Sequence, residues 1–185
     1  EEIYSKIKDR FDIGKNFFVG FSSERINPGS NENSINKVPK VVGGFSKSCS
    51  LLVSTFYNLL FKKVVKAKSL ETAEFSKLLE NTYRSVNIGF INEMKFIADK
   101  MGLDIFEIIR LAKTKPYGFR AYNPGPAIGG HCIPIDPHYL NWKAKREGIS
   151  SNFIRLASRT NINVTNYIVS KIAKSIKSKK LKKNK

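Results

Sequence analysis

Cys132 lies in the stretch Gly129-Gly130-His131-Cys132-Ile133-Pro134-Ile135-Asp136-Pro137. Paired glycines open backbone conformations closed to other residues and let a ligand approach the main chain. A cysteine in a polar loop can lose its proton where a cation or a helix N-terminus lies close, and a thiolate adds readily to an aldehyde carbon. The competing reading is a small buried hydrophobe. Glu74, Lys77, Asn81 and Arg84 follow at offsets of three, four and three, which puts them on one helix face. A solvated charged face is the usual reason for such a stripe. Asn81 is the odd member, with Asn87, Asn92 and Glu93 further on, because asparagine is a mediocre helix former. A lysine and an asparagine one turn apart can bind a sugar and stabilise an alkoxide. A third group, Glu24 and Arg25, leaves a short apolar run in the stretch Ser22-Ser23-Glu24-Arg25-Ile26-Asn27-Pro28-Gly29. Ligands of open α/β sheets gather at strand carboxyl ends, although a plain polar loop explains these residues equally well.

Several elements must hold these residues. The runs at 17–21, 40–44 and 64–65 read as strands, and 46–60 as a helix with Leu51, Leu52, Thr55, Phe56 and Leu59 at helical spacing. Residues 72–101 give the longest helical pattern, closed by Gly102 as the residue after its end. Asp104 is the expected N-cap of a helix over 105–113, which Pro116 stops. Residues 117–137 hold too many glycines and prolines for a regular element, and long ordered loops in compact domains are usually functional. Helices are expected again over 138–147 and from 151 to about 176. The order reads as the end of an α/β domain over 1–68, a helical domain over 69–176 and a Lys-rich tail or linker over 177–185.

The chain has 185 residues and a formal net charge of +18, so a nucleic-acid partner has to be weighed. Eight lysines and no acid fall between Lys171 and Lys185, so one tail supplies much of the excess. No interleaving of aromatic and basic residues marks a single-strand platform, and no nucleic-acid partner is expected. No run of 18 apolar residues suggests a membrane span, and the two histidines and two cysteines lack metal-ligand spacing. The first residues carry neither an initiating Met nor an apolar leader, which reads as a chain that begins inside a longer protein. Without an export signal, the distant cysteines read as reduced thiols and the location as cytoplasmic.

Four blocks occur in a fixed order: Ser-Glu-Arg-Ile-Asn-Pro-Gly at 23–29, Lys-Val-Val-Gly-Gly at 40–44, Ala-Glu-Phe-Ser-Lys-Leu-Leu-Glu-Asn-Thr-Tyr-Arg-Ser-Val-Asn-Ile at 73–88 with Asn-Glu at 92–93, and Pro-Gly-Pro-Ala-Ile-Gly-Gly-His-Cys-Ile-Pro-Ile-Asp-Pro at 124–137. In order and spacing they resemble the UDP-glucose/GDP-mannose dehydrogenase family, most closely its bacterial members acting on UDP-N-acetylhexosamines. The resemblance runs from about Phe18 to Ile172. It implies the last part of a Rossmann-like NAD-binding domain followed by an all-α central dimerisation domain with one long helix. It also implies oxidation of a sugar 6-hydroxyl to a carboxylate with NAD, and a homodimer formed through the central domain. A diffuse basic surface suits such an anionic nucleotide-sugar substrate.

Residue by residue, the resemblance casts Cys132 as the nucleophile and Lys77 as the proton handler or oxyanion partner. Asn81 and Asp136 match the residues that hold the water and oxyanion. Glu24 matches an acid assisting thioester hydrolysis. Arg25, Ile26, Arg84 and Gly129 fall where the family contacts the nucleotide sugar. Ala127 stands where the family usually has glycine, and a positive φ there would strain the loop by roughly 1 kcal/mol. No Gly-x-Gly-x-x-Gly follows a strand, so the cofactor-binding residues stay unassigned and the chain alone is expected to be inactive. The alternatives are a non-catalytic dimerisation remnant of such an enzyme and, less favoured, a basic nucleic-acid-binding protein.

Overall fold

A computed structural model describes residues 5–6, 9–25, 38–130 and 132–183, with 180–183 by backbone alone. The chain divides into two compact units, Glu1–Leu79 and Glu80–Lys185.

The first unit is a small α/β assembly. Its strands are β1 (Gly20–Ser22), β2 (Lys40–Gly44) and β3 (Val64–Lys66), in the order β1-β2-β3. β1 pairs antiparallel with β2, Gly20 opposite Gly44, and β2 pairs parallel with β3, Lys40 opposite Val64. Helix α1 (Lys47–Asn58) makes the crossover that a parallel pair requires. Ser46 caps it, its side chain accepting from Cys49 N. β1 starts later than the apolar run at 17–21 suggests. Phe17 is drawn into a tight turn instead, with its N–H on the Asp12 carbonyl and its carbonyl accepting from Gly14 N at 2.7 Å.

The long helix α2 (Leu70–Met101) begins two residues before its expected start and continues into the second unit. Glu71 in its first turn and Lys100 in its last complement the helix dipole, and Gly102 follows at φ +71°. Asp104 caps α3 (Ile105–Ala112) by accepting from Phe106 N, as its sequence position predicts. Ile91, Ala98, Ile105 and Ile109 form a buried cluster in this unit, with Met94, Ala121 and Tyr122 against it.

Helix α4 (Asp136–Arg146) starts inside the stretch read as loop, because the Cys132 carbonyl accepts from Asp136 N at 2.8 Å and Pro137 suits a first helical turn. Helix α5 (Asn152–Lys183) runs on past the expected end near Ile176. Gly89 lets α5 approach closely, since a Cβ there would sit 3.1 Å from Ala157 Cα. Contacts advance in step along both helices: Gly89 with Ala157, Asn92 with Asn161, Asp99 with Tyr167 and Lys171. α2 and α5 therefore run in the same direction where they touch. Among the described residues no helix is long and apolar enough to cross a membrane.

Candidate active site

Cys132 is exposed and free, at the head of a turn that leads into α4. Its carbonyl accepts from Ile135 N at 3.0 Å and Asp136 N at 2.8 Å, so the thiol-bearing residue is tied to the first turn of a helix. Gly129 and Gly130 precede it at φ +69° and +77°, conformations that a side chain would strain. No described residue other than glycine has positive φ, so Ala127 fits its position without the strain that its sequence position raised.

Asp136, half-buried, accepts from Asn81 Nδ2 at 2.5 Å. Asn81 is 3% exposed, a buried amide aimed at a carboxylate, and such charge-assisted bonds are short and strong. One residue of the helix face and two of the Gly/Pro segment are thus joined: Asn81 to Asp136 by side chain, Asp136 to Cys132 by backbone. Arg84 is exposed, and its charge acts on Tyr122, whose hydroxyl burial holds above the usual phenol range. Gly129 is exposed, with open space where a Cβ would stand. Beside this segment lies a cleft of about 510 Å³ whose walls include Ser85, Ile128, Pro134, His138 and Asn161.

The start of the segment is held by Asn92, whose type stood out on the helix without showing this role, and by Asn161 and Thr165, which carried no sequence signal. Asn92 is fully buried, its Oδ1 accepting from Gly125 N at 3.1 Å. Its Nδ2 donates to Asn161 Oδ1 at 3.1 Å, and Asn161 Nδ2 donates to the Ser85 carbonyl at 3.1 Å. Thr165 Oγ1 donates to the Pro126 carbonyl at 2.9 Å. The available signal was an asparagine inside an apolar helix pattern; Asn161 had none.

The first unit holds the other candidates. Glu24 follows β1 and is exposed; its Oε1 accepts from Arg25 N at 2.7 Å and its Oε2 lies 3.9 Å from Lys40 Nζ. Lys40 is buried, with its ammonium 5.4 Å from the centre of the Tyr57 ring and 5.2 Å from that of Phe61. Arg25 Nη1 donates to the Pro39 carbonyl at 3.0 Å. Lys77 is half-buried on α2. Ile26 lies outside the described residues.

A dinucleotide cradle needs a strand, a glycine turn and a helix N-terminus with room above the turn. β2, Gly43, Gly44 and α1 have that order but not the room. A Cβ on Gly44 would lie 2.1 Å from Ser50 N, and one on Gly43 2.4 Å from the Ser69 carbonyl oxygen. These glycines admit the chain's own backbone, so this turn does not serve as the cradle. Nor do the described residues gather three or more His, Cys, Asp or Glu side chains where a metal could bind.

The family description "UDP-glucose/GDP-mannose dehydrogenase family, central domain" matches residues 71–163. Protein CapL of Staphylococcus aureus is 40% identical over 164 residues, which are 88% of this chain and 38% of that protein. The UDP-N-acetyl-D-glucosamine 6-dehydrogenase of Pseudomonas aeruginosa is 37% identical over 165 residues, 89% of this chain and 39% of the relative. The solved structure of the UDP-D-ManNAc dehydrogenase of Pyrococcus horikoshii matches with a TM-score of 0.86 at 27% identity, covering 97% of this chain and 42% of that one. The chain spans about two fifths of the length of these relatives.

Proposed function

Because the chain belongs to the UDP-glucose/GDP-mannose dehydrogenase family, we propose that its protein is a nucleotide-sugar 6-dehydrogenase acting on a UDP-N-acetylhexosamine, with Cys132 as nucleophile. The observation that carries this reading is the exposed Cys132 joined through the first turn of α4 to the buried Asn81–Asp136 pair. In this reading Cys132 Sγ adds to the C6 aldehyde carbon and keeps the intermediate from leaving. One Asn81 N–H is spent on Asp136, and the other serves the developing oxyanion. The free lone pairs of Asp136 orient the water that hydrolyses the thioester. Lys77, one turn before Asn81 on α2, handles the proton or pairs with the oxyanion, and Glu24 assists hydrolysis. Arg25, Ile26, Arg84 and Gly129 contact the nucleotide sugar. The hydride acceptor is NAD, for which the β2–α1 turn supplies no cradle. The product feeds surface polysaccharide synthesis in the cytoplasm.

The protein works as a homodimer. The support is an apolar groove of about 280 Å³ between α2 and α3, with Phe90, Ile97, Met101 and Ile108 exposed along it.

The test is NADH and uronate formation by the full-length protein with UDP-N-acetylglucosamine or UDP-N-acetylmannosamine and NAD. Two NADH per uronate are expected. No NADH with any UDP-N-acetylhexosamine would overturn the reading.

A further inference from the structure

Between Gly125 and Asp136 the Cys132 segment is pinned at both ends. At its far end Asp136 accepts from Asn81. At its near end Gly125 N donates to Asn92 and the Pro126 carbonyl accepts from Thr165. Between these anchors lie Gly129 and Gly130, both at positive φ, and the exposed thiol.

We propose that Asn92 is the positioning residue for Cys132, and that Asn161 fixes Asn92. A buried amide has two orientations, and only one offers its oxygen to Gly125 N. Turned over, Asn92 would set an NH2 against an N–H. The Asn161 oxygen selects the correct orientation by accepting from Asn92 Nδ2. Asn161 is selected in turn, because its own Nδ2 must face the Ser85 carbonyl on α2. The direction of the whole relay is therefore set by the backbone of α2, the helix that also presents Asn81. The two side chains are 0% and 7% exposed, so no water takes over a lost bond cheaply. Removing Asn92 takes away one of the two holds on the near end, leaving the Thr165 bond to Pro126, while the Asn81–Asp136 end stays tied, and the thiol between them is less firmly placed.

The catalytic consequence rests on the dehydrogenase reading; the positioning itself does not. In the full-length protein, a nitroxide label on Cys132 reports the order of the segment, Cys49 being buried and shielded from the reagent. Asn92→Ala and Asn161→Ala should each narrow the label's spectrum below the melting temperature. Val42→Ala, which opens a cavity in the core of the first unit and leaves the α2–α5 contacts intact, should leave it unchanged. In unlabelled protein, both asparagine variants should lower kcat by roughly 10- to 100-fold while KM for the dinucleotide holds. An unchanged spectrum in folded Asn92→Ala, or equal narrowing in Val42→Ala, overturns the proposal. If Asn92→Ala does not fold, Asn161→Ala gives the same decision. A narrowed spectrum in a protein that shows no turnover even unsubstituted supports the positioning and removes the dehydrogenase reading.

Discussion

Asn81 and Asp136 stand 55 positions apart in sequence and share a hydrogen bond of 2.5 Å, amide N–H to carboxylate. That bond carries the long helix α2 to the first turn of α4, and the same turn holds Cys132 through its carbonyl. A helical face and a glycine-rich segment, each ambiguous alone, become one arrangement through this pair.

Breaking the pair should cost stability. Asp136→Ala strands a buried amide and should destabilise the protein by about 1–3 kcal/mol. Asn81→Ala should cost a similar amount, and the double variant less than the sum by about 1 kcal/mol, because the residues touch. Urea unfolding followed by circular dichroism measures the cycle. Strictly additive losses would mean that the bond contributes nothing.

Asp99 should make the α2–α5 contact acid-sensitive. Its burial pushes the carboxyl pKa up, but hydrogen bonds from Lys171, Lys95 and Tyr167 outweigh that and hold it well below the usual carboxylate range. A depressed folded pKa contributes stability above the unfolded value near 3.9, and that contribution fades as pH falls towards the folded pKa. The stability gap between the unsubstituted protein and Asp99→Asn should be full at about pH 7 and shrink below about pH 4. A gap independent of pH would show that Asp99 is not held ionised by these partners.

The glycines of the Cys132 segment are not interchangeable. Gly129→Ala and Gly130→Ala force a side chain into positive φ and should each cost about 1 kcal/mol or more. Ala127→Gly should gain nothing, since Ala127 has no positive φ to relieve. Thermal melts of the three variants check this; a stabilised Ala127→Gly would contradict the geometry.

The groove between α2 and α3 should be where two copies meet. Ile97→Glu places a charge on that apolar surface and should raise the dimer dissociation constant about tenfold or more. Sedimentation equilibrium of the full-length protein reads it. An unchanged constant would move the interface elsewhere.

How much of this was legible depends on whether the signal was local. The helices over 72–101 and 105–113 have apolar spacing, an Asp104 cap and a Gly102 stop within a few residues of each other, and the structure follows them closely. Aromatic content marks 17–21 as a strand, whereas hydrogen bonds around Asp12 take Phe17 into a turn and β1 begins at Gly20. Asp136 falls in a stretch whose proline density suggests loop, whereas Pro137 opens a helix there. Asn81 and Cys132 announced themselves by type and neighbours. The pairing of Asn92 with Asn161 did not, because a buried relay between residues 69 apart leaves no periodicity to find.

The central claim is that Cys132 carries the chemistry, and the uronate yield of Cys132→Ala in the full-length protein tests it most directly. The account predicts no uronate from a variant that stays folded and still binds the nucleotide sugar. Uronate formed at the unsubstituted rate would contradict it.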